Sequence, residues 1–443
     1  MNQDLCNRNA FARFDALPPA ERIVAIMNRI YENGLTTTSG GNLSVLTTDG
    51  SLWISPSGID KGTLRPADIM CVRPDGSVLG PHKPSCEYPF HSGVCRMCSD
   101  VKAILHAHPP ALVSFSIAGK LPDTAVFPRT KTLCGEVGFA PYDIPGSRAL
   151  GDKIAAVFMR GPRTVMLENH GVCLGGSSLL ENYLRFETLD FCARTIYLAS
   201  LLGCNEPVAL TDAQIGAYDD AQNEEYEPFT PEPATDRENA LRATVAALVR
   251  RCVRQKLFTG ASGAFAARLD AETFLVTPAV CDRAELMPDE LVLVRGSSCE
   301  AGKTPAPRAG FFRELFAARP DVNAATAANP PAIGAYLISH APFNPRVIPE
   351  SFIQLRETPC FAFEATLDDG ELLRALSQRF PVVLVENDAA LTCGRTPVEA
   401  FDRLEVTEYS AQAAIMARSF GGLRPITDAQ VEDLVEAFDL PRQ

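Results

Sequence analysis

The chain has 443 residues, a length typical of two or three domains. Hydrophobic residues make up 46% and charged residues 21%, as in globular proteins with a sizeable core, and no run approaches the roughly 18 apolar residues of a membrane-spanning helix. The net charge of −13 argues against a nucleic-acid partner, and no basic segment followed by an apolar run opens the chain, so we expect a cytoplasmic protein with neither nucleic-acid nor membrane partners.

Alternating apolar patterns along the chain predict both strands and amphipathic helices. Strands are predicted at SLWISPSG, VKAILHAH, RTVMLE and FPVVLVE, in chain order. Helices are predicted at ALGDKIAAVFMR and at the longer segment SLLENYLRFETLDFCARTIYLASLL. This mixture indicates α/β layered domains.

The sequence is an internal duplication. AILHAHPPA at residues 103–111 returns as AATAANPPA at 324–332, and LWISPSGIDKGTLRPADIM returns as FLVTPAVCDRAELMPDELV. We therefore predict two homologous domains, at residues 1–220 and 238–443. An acidic, proline-bearing linker at 221–237 is expected to join them.

Polar residues of the first repeat are missing from the second, although apolar positions match. A scaffold needs its apolar pattern and can lose reactive groups, whereas a chemical site needs those groups. The loss therefore marks the first repeat as the one that carries a site. The pairs are Asn42/Ala264, Ser44/Ala266, Ser57/Ala279, Ser85/Ala306, Glu87/Arg308, His91/Phe312, His106/Ala327, His108/Asn329 and His170/Asp388.

Three of these residues form a candidate metal site. His106 and His108 are two apart in a predicted strand, so their side chains point to one face. His170 follows another predicted strand, in ENHG, and can supply a third nitrogen. Three histidines with an open position are typical of catalytic zinc, although imidazole also suits Ni, Co, Fe or Cu.

Glu87 and two glycine-bearing loops complete the candidate site. A carboxylate beside a metal can act as a general base or as a displaceable ligand. The loops SGGNLS and SPSG, together with Ser85, present N–H and O–H donors and predict a phosphate or carboxylate pocket. Arg308 replaces the glutamate in the second repeat, which should repel a cation there, so we expect no metal in that repeat.

The motifs GGNLS, ISPSG, PSCE, HAHPP and ENHG, within about residues 20–205, resemble the class II aldolase/adducin family, and the second repeat resembles it more faintly. The resemblance implies two three-layer domains, each with a central, mainly antiparallel sheet flanked by helices. It implies that His106, His108 and His170 bind Zn²⁺ or another divalent transition metal and that Glu87 is the acid/base. The implied phosphate ligands are Gly41, Asn42, Ser57, Gly58, Ser85 and Cys86, the last standing where the aldolases have serine.

The reaction implied by the resemblance is cleavage of a fuculose- or rhamnulose-phosphate-like ketose phosphate to dihydroxyacetone phosphate and an aldehyde, through a metal-stabilised enediolate. A decarboxylase or dehydratase of a related sugar acid or phosphosugar, and a non-catalytic adducin-like scaffold, are alternatives. Epimerisation is disfavoured because that branch has Asp at the position of Glu87. Tyr218 or Tyr226 could assist catalysis. The family's fourfold rings imply a homo-oligomer, with two chains forming a pseudo-ring of four domains, or a larger assembly.

Overall fold

The computed structural model describes residues 8–222, 224–377 and 379–440 and divides into two compact units. Phe11–Thr124 and Thr130–Ala193 form the first unit, and Ala125–Arg129 belongs with the residues from Arg194 onward. Among the described helices, none is both long enough and apolar enough to cross a lipid bilayer.

The elements of the first repeat alternate between strands and helices. Its strands are β1 (Asn42–Leu46), β2 (Leu52–Ile54), β3 (Met70–Val72), β4 (Val78–Leu79), β5 (Ala103–Ala107), β6 (Val137–Ala140), β7 (Thr164–Leu167) and β8 (Gly171–Gly176). Its helices are α1 (Arg8–Asp15), α2 (Pro19–Glu32), α3 (Tyr88–Met97), α4 (Pro110–Ile117), α5 (Pro128–Cys134), α6 (Arg148–Phe158) and α7 (Leu179–Leu202). Short 3₁₀ helices lie at Lys61–Thr63, Pro66–Asp68 and Thr124–Val126.

The remainder of the chain repeats this order after α8 (Asp212–Gln222) and β9 (Glu227–Phe229). Its strands are β10 (Ala264–Arg268), β11 (Thr273–Val276), β12 (Val292–Arg295), β13 (Ser298–Glu300), β14 (Ala324–Ala328), β15 (Cys360–Phe361), β16 (Val382–Val385) and β17 (Ala390–Gly394). Its helices are α9 (Asp236–Arg254), α10 (Ala309–Ala318), α11 (Pro331–Ile338), α12 (Pro349–Leu355), α13 (Gly370–Ala375), α14 (Pro397–Arg418) and α15 (Asp428–Ala437). The 3₁₀ helices are Arg283–Glu285, Pro288–Glu290 and Phe363–Thr366.

The two sheets have the same strand order. Within the described residues the first is β4-β3-β2-β1-β5-β8-β7-β6, and the second reproduces it as β13-β12-β11-β10-β14-β17-β16-β15. Most neighbours are antiparallel, while β6 and β7 are parallel, as are β15 and β16. Asn42 pairs with His106 in the first sheet, and Ala264 pairs with Ala327 at the same place in the second. The predicted tandem duplication and α/β class are therefore confirmed down to strand register.

The second sheet has an additional edge strand. β9 pairs in parallel with β13, with Cys299 opposite Pro228, and it lies inside the segment predicted to be a linker. The sequence signal there was polar and proline-bearing, which is also typical of edge strands.

The central strand β5 places the candidate histidines in the core. All five of its residues are buried, with β1 on one side and β8 on the other. Phe90 of α3 and Ile154 of α6 are fully buried and belong to the same hydrophobic cluster as Ile104 of β5. A strand covered in this way cannot shift register without exposing apolar side chains, so the position of His106 is fixed by packing.

Candidate metal centre and active site

The three predicted metal ligands lie together in the first unit. His106 is on β5, His108 follows the end of that strand, and His170 lies in the turn between β7 and β8. Their candidate ligand atoms all lie within 4.8 Å of one another. Nε2 of His106 is 2.9 Å from Nε2 of His108, and the ring centroids of His106 and His170 are 4.7 Å apart.

Hydrogen bonding directs a lone pair of His106 into the cluster, and burial favours the neutral form of all three imidazoles. Nδ1 of His106 lies 3.0 Å from the carbonyl oxygen of Val172, an acceptor, so Nδ1 carries the proton and Nε2 has a free lone pair. Burial, with the neighbouring imidazoles, lowers the pKa of His106 and of His108 to about 3. Burial likewise lowers the pKa of His170, against the opposing effect of Glu87. Neutral imidazoles are the form that binds metal ions.

Glu87 faces this cluster from the N-cap position of α3. Its Oε2 is 3.3 Å from Nε2 of His106, and its Oε1 is 3.7 Å from Nε2 of His170. Oε1 is buried and, among the described residues, has no hydrogen-bond partner. A buried acceptor of this kind is costly unless something binds it. Three imidazole nitrogens and one such carboxylate fit the ligand preferences of a divalent transition metal.

Glycines allow the strands and loops around the cluster to approach closely. Gly41 has φ +71°, and a Cβ on it would lie 2.7 Å from the carbonyl oxygen of His106. A Cβ on Gly171 would lie 2.6 Å from Cδ2 of His108. A side chain at either position would displace a candidate ligand, so these glycines are required by the geometry.

The predicted anion loop SPSG lies beside the segment that carries Ser85 and Cys86. The backbone N–H of Ser57 donates to Lys83, and that of Ser85 donates to Ser55. Ser57, Gly58 and Cys86 are exposed, whereas Ser85 is buried and its hydroxyl accepts from the N–H of Glu87 at 3.2 Å. This arrangement leaves Ser57, Gly58 and Cys86 accessible to a ligand.

Lys61 was not singled out from the sequence, yet it lies beneath these loops. Its Nζ donates to the carbonyl oxygen of Pro56 at 2.9 Å, and the side chain is buried. Burial lowers its pKa, while the Cys86 thiol and Asp60 oppose that effect. The sequence could have pointed to Lys61, because it aligns with Arg283, a basic residue at the same position in the second repeat.

Asn42 faces inward in the structure. Its Nδ2 is 2.5 Å from Oε2 of Glu87, and its Oδ1 is 2.5 Å from Nε2 of His91. The Asn42 side chain therefore contacts residues of the candidate active site, which its position in the sequence did not indicate.

Tyr218 and Tyr226, the two tyrosines considered for catalysis, both lie outside the first unit. Tyr218 packs with Leu210 and Ile215, and the Tyr226 hydroxyl donates to Glu224.

An ion pair occupies the equivalent place in the second repeat. Arg308, at the position of Glu87, donates to Asp388, at the position of His170, and its Nη1 is 3.0 Å from Asp369. Arg308 and Asp388 are both buried. Burial alone would lower the pKa of Arg308, but Asp388 and its other neighbours raise it overall. The opposite charges of Arg308 and Asp388 neutralise each other without any bound ion.

Replacing Arg308 with leucine is expected to destabilise the protein by about 3 kcal/mol, because it leaves Asp388 buried without its partner. Arg313→Leu, at a partly buried position of the same helix, removes ion pairs to Glu224 and Glu314. Its expected cost is under about 1 kcal/mol. Urea denaturation would measure both free energies of unfolding, and equal losses would contradict a special role for the buried pair.

Two α/β repeats, one of them with three histidines and a carboxylate gathered around the end of its central strand β5, are the features that define the class of this protein. The chain belongs to the class II aldolase and adducin family. The model of the "Class II Aldolase and Adducin N-terminal domain" matches it twice, at residues 21–197 and 243–415. This confirms the family expected from the sequence motifs.

Each of the similar proteins below matches a part of this chain about as long as one repeat. The 5-deoxy-D-ribulose 1-phosphate aldolase of Bacillus thuringiensis serovar kurstaki is 32% identical over 44% of this chain and 91% of its own length. The 3-oxo-tetronate 4-phosphate decarboxylase of Haemophilus influenzae is 31% identical over 41% and 88%. The L-fuculose phosphate aldolase of Methanocaldococcus jannaschii is 29% identical over 41% and 97%. All three names describe lyases, but they describe different reactions and substrates.

Proposed function

We propose that the protein is a divalent-metal-dependent lyase that cleaves a ketose phosphate, of the fuculose-, rhamnulose- or 5-deoxyribulose-phosphate kind, to dihydroxyacetone phosphate and an aldehyde. The observation that carries the proposal is the cluster of His106, His108 and His170 with the unpartnered Oε1 of Glu87 beside it. The names of two aldolase relatives support the substrate class.

The metal-binding residues would be His106, His108 and His170, holding Zn²⁺ or another divalent transition metal. The chemistry that such a cation supplies is polarisation of carbonyl and hydroxyl oxygens and neutralisation of the negative charge that develops on them. The hydrogen bond from His106 to the carbonyl of Val172 fixes which nitrogen faces the cluster. His106 would therefore present its Nε2 to the cation without a change of tautomer.

Glu87 would transfer a proton to or from the substrate carbon. Its carboxylate lies in a buried position, with Oε2 held by Asn42 and Oε1 open towards His170. An acid/base must reach the substrate carbon that gains or loses a proton, and the open oxygen next to the ligand cluster meets that requirement. Burial of the site would exclude water from the carbanion-like species formed after C–C cleavage.

The phosphate would bind across the two loops. Gly41, Ser57, Gly58, Ser85 and Cys86 are the predicted contacts, and Lys61 adds a buried positive charge beneath them. Asn42, also predicted to bind phosphate, has its side chain engaged by Glu87 and His91. Its part in phosphate binding would therefore be through the backbone.

Cys86→Ser is expected to lower KM for a phosphorylated substrate about tenfold, because a hydroxyl donates to a charged acceptor better than a thiol does. Steady-state kinetics on a phosphorylated substrate and its dephosphorylated counterpart would measure the change. The dephosphorylated compound is the control and should show no gain. An equal effect on both compounds would place Cys86 away from the phosphate.

Decarboxylation is the second candidate, and it is favoured by the relatives named 3-oxo-tetronate 4-phosphate decarboxylase. A dehydratase or a hydroxy-acid decarboxylase would use the same metal and acid/base. Purified protein should be incubated with fuculose, rhamnulose and 5-deoxyribulose 1-phosphates and with 3-oxo-tetronate 4-phosphate. Dihydroxyacetone phosphate and aldehyde support the aldolase, whereas released CO₂ supports the decarboxylase.

A non-catalytic scaffold, as in adducin, would require neither metal nor turnover. Elemental analysis of the purified protein and activity after chelation separate that alternative from an enzyme. About one divalent metal per chain and inactivation by a chelator would support the lyase. Metal-free protein that binds no added divalent ion, with turnover of no substrate in the panel, would contradict it.

The family resemblance also supports a homo-oligomer in which two chains supply four homologous domains as a pseudo-ring. Light scattering of the active protein should then give at least twice the chain mass of 47.9 kDa. A fully active species with the mass of one chain would contradict this assembly.

A further inference from the structure

A line of four buried polar side chains leads away from the cluster behind Glu87. The Ser44 hydroxyl oxygen is 2.7 Å from Nδ1 of His91. Nε2 of His91 is 2.5 Å from Oδ1 of Asn42, and Nδ2 of Asn42 is 2.5 Å from Oε2 of Glu87. Ser44 and His91 are completely buried, and each contact in this line joins two side chains directly.

Local structure accounts for the alignment. Asn42 and Ser44 are two apart on β1 and share one face of the strand. Glu87 and His91 are four apart at the start of α3 and share one face of the helix. The two pairs therefore meet as strand and helix pack, and each strand residue contacts a helix residue.

The direction of every hydrogen bond can be assigned. A carboxylate accepts only, so the Asn42 amide nitrogen must face Glu87 and its oxygen must face His91. Nε2 of His91 then carries a proton and donates to that oxygen. Burial, together with His106, lowers the pKa of His91 well below its usual value, so the ring is neutral and Nδ1 accepts from the Ser44 hydroxyl. All donors point towards Glu87.

The second repeat lacks the whole line. Ala264, Ala266, Arg308 and Phe312 stand at the four positions, while strand order and register are unchanged. Phe312 is fully buried, so the site of His91 accepts an apolar ring in this fold. The scaffold therefore does not require the polar line, and its presence in the first repeat calls for a role in the site.

We infer that His91, through Asn42, is a positioning residue for Glu87, with the Ser44 hydroxyl donating to its Nδ1. The line holds Oε2 of the carboxylate and leaves Oε1 as the atom that exchanges a proton with substrate. This inference rests on the proposed function, because it assigns the line to the acid/base of that reaction. It adds the residues that orient the acid/base, which the family motifs did not indicate.

His91→Phe, which copies the second repeat, is expected to lower kcat about tenfold to a hundredfold, as loss of such supporting hydrogen bonds typically does. KM and bound metal should stay within about twofold of the wild type, because the metal ligands and the exposed anion-loop residues Ser57, Gly58 and Cys86 are untouched. His91→Gln should recover most of kcat, since its amide nitrogen reaches the position of Nε2 and donates to Asn42. An inactive glutamine variant with intact metal content would contradict the assigned direction.

A double-variant cycle separates positioning from general damage. In a Glu87→Gln background His91→Phe should cost nothing further, because the group it orients can no longer transfer a proton. An equal loss in both backgrounds would overturn the inference. Phe312→Leu, at the matching place in the second repeat, controls for altered packing and should leave kcat unchanged.

Nitrogen-15 NMR of histidine-labelled protein gives a readout that does not depend on turnover, with His91 assigned from the glutamine variant. A neutral ring protonated at Nε2 is expected, and protonation at Nδ1 would overturn the inference. A wild type with no activity on any substrate of the panel would contradict the proposed function instead. An active wild type with an undiminished His91→Phe variant would contradict only the role of the line.

Discussion

Glu87→Gln is expected to lower kcat about 10³-fold while leaving the protein folded and able to bind metal. Glutamine has nearly the same shape, and its amide oxygen can still accept from Asn42. It cannot accept or release a proton at neutral pH, so the loss should fall on the chemical step rather than on KM. Turnover with the best substrate of the panel and elemental analysis would measure both quantities.

Glu181→Gln is a suitable control for that result. Glu181 pairs with Arg185 on α7, and its side chain is 40% exposed. Removing its charge should change kcat by less than about twofold, since exposed pairs contribute little. If Glu87→Gln retained more than about a tenth of wild-type kcat, Glu87 would not be the acid/base.

His108→Ala is expected to abolish detectable turnover and to reduce bound divalent metal from about one per chain to a small fraction. With this ring removed, two imidazoles remain, fewer than the three protein ligands typical of catalytic zinc. Elemental analysis after dialysis and a turnover assay with added metal would test the prediction. Partial recovery at high metal concentration would indicate weakened binding and would agree with the assignment.

The duplication supplies a matched control for this experiment. Asn329 stands at the position of His108, in the second repeat, beside a cavity of about 60 Å³ that is also lined by Arg308 and Asp388. Asn329→Ala should leave both metal content and turnover unchanged. Loss of metal in this variant would contradict the assignment of the metal to the first repeat.

The duplication could be predicted because apolar periodicity survives divergence, and the chain could be compared with itself. The structure shows that the likeness of the repeats extends to strand order and register, with Asn42–His106 and Ala264–Ala327 as equivalent pairs, but the order itself was not predicted. The histidine cluster could be anticipated because two histidines at alternate strand positions share a face. The alternation of side chains along a strand is sufficient to place His106 and His108 together.

Contacts between distant segments could not be predicted in the same way. Arg308 and Asp388 were each recognised as replacements, but their pairing depends on rotamers and on the closeness of α10 to the turn after β16. The orientation of Asn42 likewise depends on its amide nitrogen facing the carboxylate of Glu87. The spacing of these residues in the sequence carries no information about that orientation. The strand β9 was hidden because polar edge strands and linkers have similar compositions.

The buried pair in the second repeat also constrains evolution. Arg308→Glu alone would place three carboxylates, with Asp388 and Asp369, in a space that a single guanidinium now neutralises. Asp388→His alone would remove the main counter-charge of a buried arginine. A change towards a metal site at either of these two positions therefore passes through a destabilised protein. The buried pair would thus keep the second repeat from acquiring a metal site by single substitutions at Arg308 or Asp388.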